Sequence, residues 1–346
     1  MQMDVCEINN LLQKSISERK DMNKKLKITF DKYSKRHHYL PVFYLKGFAD
    51  QDKLIYVYDK IRDIIIPKQN PESKFYEKDL NNYKVDGKIH FTLEESMFSP
   101  IDSRVSHLFS KIQNPDITNY QFNTTEQLEV LHFISQLFWR SPDTNSIFLD
   151  LIKKEGLSNK YFGFKKKDNN RFVSDEEIPE IKEHVLNDPE IQKMFKHMIP
   201  LSDGNKEELL KLMEKWKIFT IDVPANNFIT GDNPFLINND DIRLDNVFNE
   251  LIFPLTKNKL LVLSHKSPNF LDGLFLANAN VSILNQAKRF IASDSEEGLK
   301  RTIFHHKELR KMKQSDTILK STFEFMYHQA SFENHSDYLT KSEYLR

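Results

Sequence analysis

The stretch 124–142, TTEQLEVLHFISQLFWRSP, constrains the fold more than any other part of the chain. Leu128, Leu131, Phe133, Ile134, Leu137 and Phe138 recur at helical spacing but crowd too much of the circumference for a helix with one face in water. A helix of that kind has to be covered on most sides, so the rest of the chain must wrap it in further elements. Ser141 and Pro142 close it, because proline cannot continue the hydrogen-bond ladder. The 346 residues suffice for that wrapping, and with 27 Phe and only 8 Gly the chain reads as helix-rich and globular rather than linker-rich or disordered.

Around this segment the periodicity changes several times. Residues 4–29 place Val5, Ile8, Leu11, Leu12, Ile16, Met22 and Leu26 on one helical face. KLIYVYDKIRDIIIPK alternates and is rich in β-branched and aromatic residues, which predicts a β-hairpin turning at Asp59 to Arg62. TLEESMFSPIDSRVSHLFSKIQ predicts a helix that starts on a Thr92/Glu95 capping box and restarts at Pro100. Residues 157–176 combine charge and turn formers and are expected to be an exposed loop, with helices at about 176–199 and 204–216. Then KIFTIDVPANNFITGDNPFLI reads as strand, turn and strand before a tight GDNP turn, and ELIFPLTKNKLLVLS repeats the hairpin pattern around Thr256 to Asn258. NANVSILNQAKRFIAS and GLKRTIFHHKELRKMK return to helix. The expected class is α+β, mainly helical with a small antiparallel sheet built from hairpins, in one domain over residues 1–346.

Charge and cysteine content narrow the function. Fifty basic residues balance fifty acidic ones, which argues against a surface given over to nucleic acid and leaves room only for a local stripe such as Lys300, Arg301, Lys307, Arg310, Lys311 and Lys313. Cys6 is the one cysteine, so neither an internal disulfide nor a zinc site of several thiolates can form. The start, MQMDVCEINNLLQKSISERK, has charges throughout and no apolar signal core, and no later run approaches ~18 apolar residues, so a cytoplasmic protein without a membrane partner is expected. No P-loop, GxGxxG, HExxH or GxSxG is present.

Several short motifs stand in a recognisable order: HHYLPVFYLKGFA, LIYVYDK, LEES, FWRSP, FITGDNP, IFPLT and LNQAKRFIAS. In that order, over roughly residues 36 to 295, the chain resembles the bacterial family catalogued only as domain of unknown function 4238. The resemblance implies a shared polar set, here His37, His38, Glu95, Arg140, Asp232, Asn233 and Asn285, and supplies no activity. Separately, Arg301 and His306 fit a spacing similar to the active-site motif of HEPN ribonucleases, a spacing that arises easily by chance in a chain with 12 His.

The residues themselves leave two readings open. His37 and His38 precede Pro41 in extended chain, so their rings point to opposite sides and at most one faces a site, as a base or metal ligand. Asp232 and Asn233 in TGDNP either make a sharp turn or hold a catalytic carboxylate at a strand end. Glu95 either caps its helix or ligates, and Arg140, ending an apolar helix, needs a buried ion pair with Glu95 or Asp232, or an anionic ligand. The first expectation is thus a metal-assisted hydrolase of a phosphodiester or nucleotide, in which His38, Glu95 and Asp232 hold magnesium or manganese, Arg140 meets the phosphate, and His37 and Asn233 complete the site. The second is a binding or effector module, in a bacterial defence or toxin system, whose polar residues form a structural network and whose partner is another protein.

Overall fold

The computed structural model describes residues 35–341 except 86–87, 91–92, 115–119, 158–170, 172, 200–209, 212, 222–226, 239–242, 244–246 and 249. The helix expected at 4–29, the Thr92 cap, most of the expected loop at 157–176, most of the helix at 204–216 and the turn before Asn227 lie outside the described residues.

In chain order, β1 (Arg36–His38) leads through α1 (Val42–Leu45) to the hairpin β2 (Ile55–Asp59) and β3 (Ile64–Gln69), then β4 (Tyr76–Lys78), β5 (Tyr83–Val85) and β6 (Lys88–His90). A π-helical segment, Leu93–Phe98, runs into α2 (Ser99–Gln113), with Pro100 in its first turn as the sequence predicts. The helices α3 (Thr124–Arg140), α4 (Asn145–Glu155), α5 (Ile178–Asn187) and α6 (Pro189–Met198) follow. Next come β7 (Trp216–Thr220), β8 (Thr230–Gly231), β9 (Leu236–Ile237), β10 (Leu251–Thr256) and β11 (Lys259–Leu263). The chain continues with α7 (Gly273–Gln286), β12 (Phe290–Ser293), α8 (Glu296–Lys311), α9 (Ile318–Ala330) and α10 (His335–Lys341). The class is α+β as expected, with several small antiparallel sheets, and among the described residues no helix is long and apolar enough to cross a membrane.

The α3 helix is central. Its start is fixed by a capping box in which the Asn123 side chain accepts the Glu126 N–H at 3.0 Å and Glu126 accepts the Asn123 N–H at 3.1 Å. From Phe133 to Arg140 every residue is buried. Phe133 meets Phe109 of α2, and Phe138 meets Phe235 and Phe248 edge-on. Both faces of β10 and β11 are covered, so these strands read as continuous apolar runs.

Among the described residues there are two four-stranded sheets, in the orders β7-β11-β10-β9 and β3-β2-β12-β8, beside two two-stranded pairs, β1-β4 and β5-β6. Two expectations are corrected here. The helix predicted through NANVSILNQAKRFIAS stops at Gln286, and Phe290–Ser293 is instead an inner strand, paired with both β2 and β8. A four-residue apolar run carries no period that separates strand from buried helix, and here pairing on both edges decides. The strands before and after Asn227 do not form a hairpin with each other: β7 pairs with β11, whereas β8 pairs with β12 in the other sheet.

Candidate functional site

The motif residues gather at two neighbouring centres. The first joins the loop after β8 to the link between α7 and β12. Asp232 Oδ1 accepts the Lys288 N–H at 3.0 Å, and its Oδ2 accepts those of Arg289 and Phe290 at 2.7 and 3.0 Å. The Gln286 side-chain amide donates to the carbonyls of Asn233 and Phe235 at 2.8 and 2.9 Å, which locks the same loop from the helix end. Burial raises the Asp232 pKa, the three N–H groups pull it down, and nearby Asp143 adds to the upward push. Lys60, at the hairpin turn after β2, donates to the carbonyls of Leu284, Asn285 and Ala287 and so closes the last turn of α7. The Asn285 side chain bridges outward, from the Ser315 carbonyl at 3.0 Å to His306 Nε2 at 3.0 Å. Burial, with Lys60, Arg310 and Lys307 close by, brings the His306 pKa down to about 4.

The second centre forms around Arg140. Its guanidinium is 3 % exposed and lies 4.6 Å from the centre of the Phe98 ring. Nη1 donates to Asp102 Oδ2 at 2.8 Å, and Nη2 makes a looser 3.5 Å contact with Glu94 Oε1. Glu94 takes the Asn81 side-chain amide on its other oxygen at 2.6 Å, and the Asn81 N–H in turn donates to His37 Nδ1 at 2.9 Å. Burial works against the charge of Arg140, but Asp102 and Glu94 outweigh it and lift its pKa. The Asp102 side chain is 19 % exposed, and the packing around it still raises its pKa against the pull of Arg140.

As alternation along a strand requires, the paired histidines diverge. His37 turns into the protein towards Asn81, while His38 packs its ring 5.4 Å from Tyr76 and its Nε2 meets the Glu72 carbonyl at 3.2 Å. Burial lowers the His38 pKa, opposed by that carbonyl and reinforced by the charge of Arg140. The floor of the centre comes from α6 and α3. His197 stands edge-on to Phe98 at 4.9 Å, and burial holds its pKa well below the usual value, with Lys196 and Arg140 adding to the effect. Lys196 donates to the Ser141 carbonyl at 3.0 Å, and burial brings its pKa down to about 8. Gln136, one turn before Arg140, donates to the Met97 carbonyl in the π-helical segment at 3.1 Å.

Among the described residues five buried atoms here have no hydrogen-bond partner: Arg140 Nε, Asp102 Oδ1, Asn81 Oδ1, Gln136 Oε1 and His197 Nδ1. The two centres touch. Phe138 packs on Phe235 at 5.4 Å, Lys288 pairs with Asp143 at 2.5 Å, and Tyr39, next to His38, feels the charge of Asp232.

Measured against the sequence, His37, His38 and Arg140 stand at or beside one centre, and Asp232, Asn233 and Asn285 belong to the other. Among the described residues the ion partners of Arg140 are Glu94 and Asp102; Asp232 is not one of them, because it gives both oxygens to backbone N–H groups. Glu95 lies in the π-helical segment, with its side chain outside the described atoms. No group of three His, Cys, Asp or Glu is placed to hold a metal ion among the described residues. Arg301 and His306 separate as well: His306 faces Asn285, while Arg301 lines a small cleft with His305. The sequence reading missed Asp102, Glu94, Asn81 and His197; Gln136 and Arg140, spaced i, i+4 in a helix otherwise apolar at its end, were the available signal.

A family model described as protein of unknown function, DUF4238, matches residues 36–308 and so also takes in Arg301 and His306, beyond the last of the ordered motifs. No curated protein and no solved structure matches the chain.

Proposed function

Since the chain belongs to DUF4238, a family described only as of unknown function, we propose from geometry that the Arg140 centre is a hydrolytic site for a phosphodiester or nucleotide. The observation that carries this reading is the concentration, around one carboxylate–guanidinium–carboxylate set, of five buried polar atoms without a hydrogen-bond partner among the described residues. Native interiors leave few such atoms, and each orphan costs about 1–3 kcal/mol, so a cluster of them suits a place where a ligand or water supplies the missing bonds. In this reading Arg140 keeps Asp102 and releases its loose contact with Glu94 to hold a phosphoryl oxygen. Glu94 then takes the proton of the attacking water, and Asp102, its pKa raised by burial, returns one to the leaving oxygen. The residues at this centre do not fit magnesium or manganese, because its two carboxylates are engaged with Arg140 and no group of three His, Cys, Asp or Glu is placed to hold a metal ion among the described residues; in this reading Arg140 itself meets the phosphoryl charge.

A second reading has its own support. Asp232, His37, Asn285 and Lys60 are all engaged in holding loops and helix ends, as expected of a network that fixes the fold of a binding or effector module in a bacterial defence system. Hydrolysis of bis-p-nitrophenyl phosphate and of nucleotides, with and without manganese, separates the two. The proposal expects turnover by the wild type and a loss of about 10²–10⁴-fold in Asp102→Asn, which keeps the shape and removes the acid. A wild type that turns over none of these substrates leaves only the structural reading.

A further inference from the structure

We propose, resting on the hydrolytic reading of the Arg140 centre, that its substrate is a ribonucleotide whose sugar hydroxyl beside the phosphate donates a hydrogen bond to the amide oxygens of Asn81 and Gln136. Asn81 Nδ2 donates to Glu94 Oε2 at 2.6 Å, and Gln136 Nε2 donates to the Met97 carbonyl at 3.1 Å. A carboxylate and a carbonyl accept, so turning either amide over would set oxygen against oxygen, and the orientation of both is fixed.

Asn81 Oδ1 and Gln136 Oε1 are thereby left as acceptors, both buried and neither with a hydrogen-bond partner among the described residues. The phosphate cannot serve them, since its oxygens accept from Arg140 and have no hydrogen to give. Both stand next to the place where the phosphate sits: Asn81 is one bond from Glu94, and Gln136 lies one turn before Arg140 on α3. The missing donor therefore has to belong to a group close to the phosphate. In a ribonucleotide the 2′-hydroxyl is on the carbon next to the one that bears the 3′-phosphate, whereas the base amines lie across the sugar from it. A deoxyribonucleotide has no hydrogen to offer there and would leave both oxygens buried and unpaired. Entry is from the carboxylate side, where the side chains of Glu94 and Asp102 are 21 % and 19 % exposed and the contact of Glu94 with Arg140, at 3.5 Å, is the looser of the two.

The probe is uridine 3′-monophosphate, which carries no diester bond to be consumed and no base amine, titrated into the full chain by calorimetry beside its 2′-deoxy and 2′-deoxy-2′-fluoro analogues. The fluoro analogue keeps the ribose pucker and an electronegative atom but has no hydrogen to donate. Binding of the ribonucleotide below about 1 mM is expected, weakened about tenfold or more in both analogues. Gln136→Met keeps the length of the side chain without its acceptor and should bring the affinities for the ligands close together; where that variant is unstable, the ligand series on the wild type still decides. The proposal is overturned by equal affinity for all of these ligands, which would make water the donor, or by absence of saturable binding up to about 1 mM. It is equally overturned if 2′-deoxycytidine 3′-monophosphate binds as tightly as the ribonucleotide, which would pass the role to a base amine. Its failure is separable from that of the hydrolytic reading: turnover of bis-p-nitrophenyl phosphate with equal affinities removes the sugar contact alone, and a ribose preference without turnover keeps the sugar contact and removes hydrolysis.

Discussion

Asp232 is the clearest case of a residue whose chemistry is consumed by architecture. Three backbone N–H groups converge on its two oxygens, and a carboxylate so held is a poor metal ligand and a good loop anchor. Asp232→Asn keeps the volume but offers one acceptor oxygen and turns an NH2 group towards N–H donors. The substitution is expected to cost about 1–3 kcal/mol and to lower the melting temperature visibly, with the same shift in the presence of manganese. Thermal melts of the pure protein decide it, and a variant that melts like the wild type would show that the loop holds without the carboxylate. Arg140 is the opposite case. It has two charged partners, and its Nε has no hydrogen-bond partner among the described residues, which is why the proposed ligand is placed against this guanidinium.

At the level of elements, close approach explains the glycine of the TGDNP turn. A Cβ on Gly231 would lie 3.3 Å from the Phe290 carbonyl and 3.3 Å from Ala287 Cβ, where β8 passes β12 and the end of α7. Gly231→Val adds branching against a backbone atom that cannot move aside, and a loss of about 1–3 kcal/mol is expected in urea melts. What the sequence revealed of such elements depended on length and on local signals. The α3 helix was legible because its apolar pattern runs over several turns, and the β2–β3 and β10–β11 hairpins because each turn lies between its own strands. The inner strand β12 was not, being short, apolar and paired only with residues far away in sequence. The same limit hid the carboxylate that reaches Arg140. In Leu93–Phe98 the helix is wound in π geometry, so an α-helical count does not place Glu94, which meets the guanidinium.

For the molecule as a whole, three histidines with depressed pKa values are expected to weaken the fold in acid. The folded protein holds the His306 pKa down at about 4, keeps that of His197 well below the usual 6.5 and lowers that of His38. A histidine with a depressed folded pKa lends stability that is complete above its unfolded value, near 6.5, and is lost as the pH falls towards the folded value. Stability should therefore decline between pH 6.5 and about 4. His306→Gln retains an amide that can reach Asn285 and has nothing to titrate, so its curve should be flatter over that interval; urea melts across the range compare the two. Asp102 and Asp232, with raised pKa values, act in the other direction, favouring the fold below the ordinary carboxylate range and less as the pH rises through it. The position of β12 between β2 and β8 bears on how the chain is made. Arg289, just before β12, meets Asp59, at the end of β2, from 230 residues further along the chain. At about 5–20 residues per second, β2 leaves the ribosome roughly 10–50 s before the strand it needs, with its edge open in the meantime. Until β12 is made, β2 can pair only with β3 on its other side, and a break anywhere between β3 and β12 leaves the two halves of one sheet on different chain fragments.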